Sequence, residues 1–159
     1  MHPTSLQKMK ELFQTFKVQK CNLLDVGSQD VNGTYKDLCG PGIIYTGLDL
    51  VKGKNVDIVA PDIYHWPIPN DTYDVVISGQ CLEHVEDTQA WIKEVYRVCK
   101  PGGLTIIIAP WNCGEHRYPV DCWRILPDGM RFLLSKVVNF KIELIDRNNT
   151  IDTWGVGRK

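Results

Sequence analysis

Five short apolar runs, at residues 23–26, 43–49, 56–60, 73–78 and 103–109, alternate with polar loops that carry Gly, Pro, Asn or Asp. Runs of this length, rich in Val, Ile and Leu and bounded by turn residues, predict β-strands. Tyr73-Asp74-Val75-Val76-Ile77-Ser78 and Leu104-Thr105-Ile106-Ile107-Ile108-Ala109 are the most apolar, as central parallel strands covered on both faces must be. Elsewhere the period lengthens. Leu6, Met9, Leu12, Phe13 and Phe16 fall at helical spacing over residues 4–19, after a Pro-Thr-Ser start. Asp87 to Val98 reads as a second helix, with Trp91, Ile92, Val95 and Val98 on one side and Lys100-Pro101-Gly102-Gly103 stopping it. A third runs from Pro127-Asp128 to about Ser135, and residues 140–145 and 153–157 form two closing, antiparallel strands. The pattern predicts one α/β sandwich over residues 1–159, with short crossovers. For its N-terminal helix, within residues 1–20, two readings stand: packed on the sheet, or a lid over a pocket.

Composition narrows the class more than it identifies it. A chain of 159 residues holds one core and is too short for two ordinary domains. The formal net charge of −1 and the lack of a long basic run give no field to draw nucleic acid. No apolar run reaches transmembrane length and no signal-type core follows the start, so membrane insertion is not expected and a cytoplasmic location is. The six cysteines are scattered without a C-x-x-C pair, as in reduced, cytosolic proteins. Cys113, His116 and Cys122 come closest to a metal set, but no fourth ligand is evident and no metal is expected.

The chemistry gathers where strands end. Leu23-Leu24-Asp25-Val26 stops in Gly27-Ser28-Gln29-Asp30-Val31-Asn32-Gly33, a polar loop that can bring backbone N–H groups close to a ligand. The next strand ends in Asp49, which could hold a ribose at the same sheet edge. Asp62, Gly79-Gln80 and the segment from Pro110 to Asp121 follow the later strands, at the end where open parallel sheets bind ligands. A G-x-G-x-x-G register is absent, which counts against a dinucleotide. Asp25 and Asp49 also have plainer readings, a turn cap and an ordinary strand-end acid.

Taken together, LLDVGS at 23–28, GLDL at 47–50, DTYDVVISGQCLEHVED at 71–87 and VCKPGGLTIIIAP at 98–110 resemble the class I S-adenosylmethionine-dependent methyltransferases of the small, single-domain "type 11" kind. The resemblance runs from about residue 21 to the end. It implies a Rossmann-like sandwich with a mostly parallel seven-stranded sheet and an antiparallel C-terminal pair, and S-adenosyl-L-methionine as cofactor. It also implies that Asp25 and Gly27 approach the methionine part, with Ser28 and Gln29 lining the loop. Asp49 would then accept the ribose hydroxyls, Leu50 flank the adenine, Asp62 and Ile63 receive its amino group and face, and Gly79 and Gln80 lie beside the methionine end. Gln29 stands where the family usually has glycine.

Two further elements concern the acceptor. Glu83-His84-Val85 resembles the family's E-H-V element, and His84 is a general-base candidate because imidazole titrates near working pH. The alternative is a histidine that shapes the helix start. Glu83 could orient it, although adjacent residues on a helix point apart. Glu115-His116-Arg117-Tyr118-Pro119-Val120-Asp121-Cys122-Trp123-Arg124 gathers acid, imidazole, guanidinium and aromatic groups within ten residues. It resembles an element of a subgroup that accompanies surface-polysaccharide and glycosyl-transfer functions. His116 and Asp121 could bind or deprotonate hydroxyls, Tyr118 and Trp123 offer ring faces, and Arg117 and Arg124 suit a phosphate or carboxylate. Alternatively Asp121 and Arg124 pair to hold the loop, with Trp123 in the core.

The expectation is therefore O-methylation of a sugar, glycan or other hydroxyl-bearing small molecule, by an enzyme that could form a homodimer. A non-catalytic S-adenosylmethionine-binding or partner subunit of the same fold is the first alternative. An NAD-dependent oxidoreductase is the second.

Overall fold

The computed structural model describes residues 2–137, 140–148 and 151–159. Its centre is a seven-stranded sheet in the order β3-β2-β1-β4-β5-β7-β6. The strands are β1 (Asn22–Val26), β2 (Ile44–Asp49), β3 (Ile58–Val59), β4 (Tyr73–Gly79), β5 (Cys99–Pro110), β6 (Lys141–Asn148) and β7 (Asp152–Arg158). β1 to β5 pair in parallel, and β7 enters antiparallel between β5 and β6. The strand order reverses between β1 and β4, which opens a crevice at their carboxyl ends.

Side-chain alternation divides the core in two. Leu24, Val26, Val76 and Ile107 face helices α2 (Thr88–Val98) and α3 (Pro127–Ser135), whose Trp91, Ile92, Val95, Met130 and Leu134 are buried there. Leu23, Val75, Ile77, Ile106 and Ile108 face the other way, onto Met9, Leu12 and Phe13 of α1 (Pro3–Thr15). The N-terminal helix is thus packed on the sheet, and among the described residues of this segment only His2, at its start, reaches the crevice. The connections after β1, β2 and β3 contain no α-helix; a single 3-10 turn, Tyr35–Leu38, fills the first. No described helix is long and apolar enough to cross a membrane.

Boundaries differ from the sequence pattern where turn chemistry intervenes. β3 keeps only two of the five residues expected, because Val56 closes a turn onto Gly53 and Asp57 is drawn to the backbone of Gly47. Lys100-Pro101-Gly102-Gly103 does not separate helix from strand. Its residues form a bulge inside β5, between the Tyr73–Cys99 and Val75–Leu104 pairings, with Gly102 at φ +75°. The second helix starts one residue late because the Asp87 carboxylate caps it, accepting from Gln89 N and Ala90 N at 3.0 Å.

Candidate active site

The crevice widens into a cavity of about 620 Å³. Of the positions expected from sequence, Gly27, Gln29, Asp49, Leu50, Ile63, Gly79, Gln80, His84, His116, Arg117 and Tyr118 line it together. Asp25, Ser28, Asp62, Asp121, Trp123 and Arg124 do not.

On the sheet side the backbone supplies the surface. Gly27, at φ +80°, donates its N–H to Leu48 O at 2.9 Å, and a Cβ there would strike the Cys81 side chain. Gln29 N–H donates to Asp49 Oδ2 at 3.0 Å, while Leu50 N–H donates to Asp49 Oδ1 at 2.7 Å. The loop after β1 and the end of β2 are therefore held to one another through a carboxylate on the cavity wall. Gly79 is packed against the Tyr35 hydroxyl, and Gln80 follows at φ +59° with its Nε2 donating to Asp152 Oδ1 at 2.8 Å. The Oε1 atoms of Gln29 and Gln80 are buried without a hydrogen-bond partner.

Three expected contacts fall elsewhere. Asp25 points to the opposite sheet face from Val26, because neighbours on a strand alternate. It neither lines the cavity nor caps a turn; it accepts a hydrogen bond from Tyr45 Oη at 2.8 Å, and burial pushes its carboxyl up to about 7. Ser28 turns inward to donate to Asn55 O at 3.1 Å. Asp62 accepts from Tyr64 N at 2.6 Å and faces His65 Nδ1, leaving its neighbour Ile63 on the wall. Trp66 is buried edge-on against Trp91 and also forms part of the wall.

The facing side is built from the 3-10 turn Leu82–His84 and residues 111–126. Cys122 and Trp123 donate their N–H groups to Glu83 O, at 2.7 and 3.2 Å. The Asp121–Arg124 pairing is formed: Arg124 Nη1 and Nη2 meet the two Asp121 oxygens at 2.6 and 2.7 Å. That guanidinium also binds the carbonyls of Cys113, Gly114 and Trp123, and holds Asp121 well below the usual carboxylate range. Neither residue is left to meet a ligand. Trp123 is not in the core either; it is 45% exposed, tethered by Nε1–H to Val85 O at 2.8 Å.

This scaffold converges three side chains. His84 Nδ1 lies 2.6 Å from Val120 O, so it carries the proton and donates, and Nε2 keeps its lone pair. Burial holds the His84 imidazole below its ordinary pKa. His116 Nδ1 is 3.1 Å from Gly114 O, with the same consequence. Both Nε2 atoms stand 3.7 Å from Glu83 Oε1, and the rings meet edge to face at 89°. Glu83 is fully buried, and desolvation pushes its carboxyl up to about 8. Glu83 and His84 leave the backbone of this 3-10 turn in different directions, as expected of neighbours on a helix, but the ends of their side chains come within 3.7 Å.

Sequence reasoning missed Asp152, buried at the start of β7, which anchors Gln80 and receives Thr4 Oγ1 at 3.1 Å. An acid just before the expected closing strand at 153–157 was the available signal. His2, 3.5 Å from Asp152, left none.

The family described as "Methyltransferase domain" matches residues 24–107, more than half of the chain. Among curated proteins, 2-methyl-6-phytyl-1,4-hydroquinone methyltransferase 2 of Oryza sativa is 36% identical over 76 residues, 46% of this chain and 22% of its own length. Demethylmenaquinone methyltransferase of Listeria welshimeri is 32% identical over 111 residues, 59% of this chain and 47% of its own. The chain thus spans less than half the length of these relatives. A crystal structure of a SAM-dependent methyltransferase from Aquifex aeolicus superposes with a TM-score of 0.71 at 15% identity, over 99% of this chain and 98% of that one, a likeness of fold.

Proposed function

The chain belongs to this methyltransferase-domain family, and on that premise we propose that it transfers a methyl group from S-adenosylmethionine to an oxygen of a small hydroxyl-bearing molecule. The observation that carries the reading is one cavity with a carboxylate and glycine edge on one side and two histidine lone pairs on the other. The residues present fit the cofactor. Asp49 offers a carboxylate for a ribose diol, Leu48, Leu50 and Ile63 offer apolar surface for adenine, and the unpartnered Gln80 Oε1 suits an ammonium group. Bound there, S-adenosylmethionine supplies an electrophilic methyl carbon.

The chain's own work is placement and proton removal. His84 is neutral near pH 7 and has its free nitrogen fixed by the bond to Val120, so it or His116 accepts the proton of an acceptor hydroxyl. Holding that oxygen in line supplies much of the rate. Arg117 and Tyr118, on the outer wall, suit a phosphorylated or glycosylated acceptor, which supports a sugar or glycan precursor as the finer reading. A second reading, a quinol-type ring, is supported by the two curated relatives, both named for quinone-related substrates.

Calorimetry with S-adenosylmethionine and with NAD tests the cofactor, and methyl incorporation into activated sugars, quinols and phenols tests the acceptor. Asp49→Ala should weaken the methyl donor at least tenfold. His116→Ala should abolish turnover while the donor still binds. Binding of NAD in preference would overturn the reading. Donor binding with no methyl transfer to any acceptor would favour a binding subunit.

A further inference from the structure

We propose that Glu83, His84 and His116 form a site for one divalent transition-metal cation, of the zinc class, whose open positions face the cavity. The sequence offered only the Cys113, His116 and Cys122 combination and no metal; the folded chain brings together a different set. The ligand atoms of Glu83, His84 and His116 lie within 4.8 Å of one another. Both imidazole nitrogens stand 3.7 Å from the same carboxylate oxygen. That separation is too long for a hydrogen bond. It exceeds by only a few tenths of an ångström the ~3.3 Å between ligands that share a tetrahedral zinc with bonds of about 2.0–2.1 Å.

The independent observation is Glu83 itself. Its side chain is fully buried, and neither carboxylate oxygen has a hydrogen-bond partner. A buried carboxyl group without partners is costly in either protonation state, and it is turned toward two imidazole nitrogens at 3.7 Å with no hydrogen bond made between them. A cation between the three would satisfy all of them at once. Each histidine also has the support typical of a metal ligand. The distal nitrogen of His84 donates to Val120 O and that of His116 to Gly114 O, which fixes tautomer and ring direction. Arg124 in turn holds Gly114 O, and Asp121 accepts the His116 N–H at 2.7 Å.

Two nitrogens and one carboxylate leave at least one coordination position open, as in catalytic rather than structural sites. All three ligands line the cavity, so the open position takes a hydroxyl oxygen of the acceptor. A hydroxyl bound to such a cation loses its proton to water more readily. This rests on the methyl-transfer reading and deepens its proton-removal step: without the cation a histidine accepts the proton directly, and with the cation in place the same Nε2 lone pairs are ligands and the proton passes to solvent.

The test is calorimetric titration of the chelator-treated protein with Zn2+, with Co2+ absorption as the reporter of ligand type. Expected are one Zn2+ per chain and visible Co2+ bands without a thiolate charge-transfer band. Glu83→Gln and His116→Ala should each weaken Zn2+ about 100-fold or more, while Cys113→Ser should leave it unchanged. Donor binding, measured separately in every variant, reports whether the methyl-transfer reading stands on its own and whether each variant is folded. Absence of Zn2+ binding, a thiolate band, or Zn2+ affinity that survives both ligand substitutions in folded protein would overturn the site.

Discussion

Gly27, Asp49 and Gly79 stand at the ends of three adjacent parallel strands, so their relative positions are inherited from the ladder that pairs β2, β1 and β4. Across the cavity, His84 and His116 stand on a single 3-10 turn and an irregular segment, which no ladder registers. Their positions come instead from side chains that grip carbonyls, Arg124 above all. The first wall can be disturbed only by disturbing the core. The second can be loosened while the core stays intact, which suits a surface that must change with the acceptor.

The strongest way to break that comparison is to titrate the core beneath the first wall. Asp25 has an ordinary value of 3.8 and is raised to about 7 by burial. Below pH 4 its carboxyl is neutral in both folded and unfolded chain and contributes nothing. As pH rises from about 4 to about 7, only the unfolded chain releases the proton, so stability falls, and above 7 the loss is constant. The swing is about 4 kcal/mol. Asp25→Asn cannot titrate, so urea unfolding should show it gaining on the parent by about that amount between pH 4 and pH 7. Glu83 titrates in both proteins and cancels. Parallel stability curves would show that Asp25 is not sealed in the core.

Gly79→Ala tests the same wall by volume. Its Cβ would collide with the Tyr35 hydroxyl, which is buried and already 2.5 Å from Ser5 Oγ. Relief requires shifting α1 or the 3-10 turn, a cost of about 3 kcal/mol. Thermal unfolding should show a lower Tm, and donor affinity should fall with it. An unchanged Tm would mean that this edge is less rigid than the sheet register implies.

Arg124→Ala should separate the walls. It leaves the enclosed Asp121 carboxylate unpaired and frees three carbonyls; because Arg124 is itself about a quarter exposed, the cost is about 2 kcal/mol rather than that of a fully buried pair. Acceptor turnover should drop more than tenfold, since His116 loses its support, while donor binding stays within about twofold of the parent. Equal losses in donor binding and turnover would show the walls to be one unit.

The same contrast explains what could be read from the chain. Strands, their order of burial and the edge that carries the cavity follow from local patterns, because each apolar run carries its own period and each strand end its own polar residue. Gly27, Asp49 and Gly79 were legible for that reason. The loop side depends on pairs whose meeting no local rule dictates: Gln80 with Asp152, 72 residues on, or His84 with Val120, 36 residues on. Glu83 was visible beside His84, but its convergence with His116 requires the segment after β5 to fold back onto the turn. Asp25 misled for a simpler reason. Its place in the motif suggested a ligand contact, whereas strand alternation turns it to the far face.

The smallest expected effect lies at the boundary of the two walls, at Gln29, where the family to which the chain is similar usually has glycine. The group that matters there is the backbone N–H, which donates to Asp49 Oδ2 whatever side chain is present. The side chain itself runs alongside Gly53, close enough that a Cβ on Gly53 would lie 2.8 Å from its Nε2. Gln29→Gly should therefore keep the Asp49 contact and lose only that packing, together with the entropy that glycine adds to the unfolded chain. Stability should fall by about 1 kcal/mol, and donor affinity measured by calorimetry should change by less than about threefold, because under 1 kcal/mol of any one contact is at stake. A tenfold loss would move Gln29 from the packing of the loop to the binding of the ligand, with its unpartnered Oε1 as the atom responsible. A tenfold gain would instead show that the glutamine obstructs the donor, and that the sheet-side wall is shaped by a side chain after all.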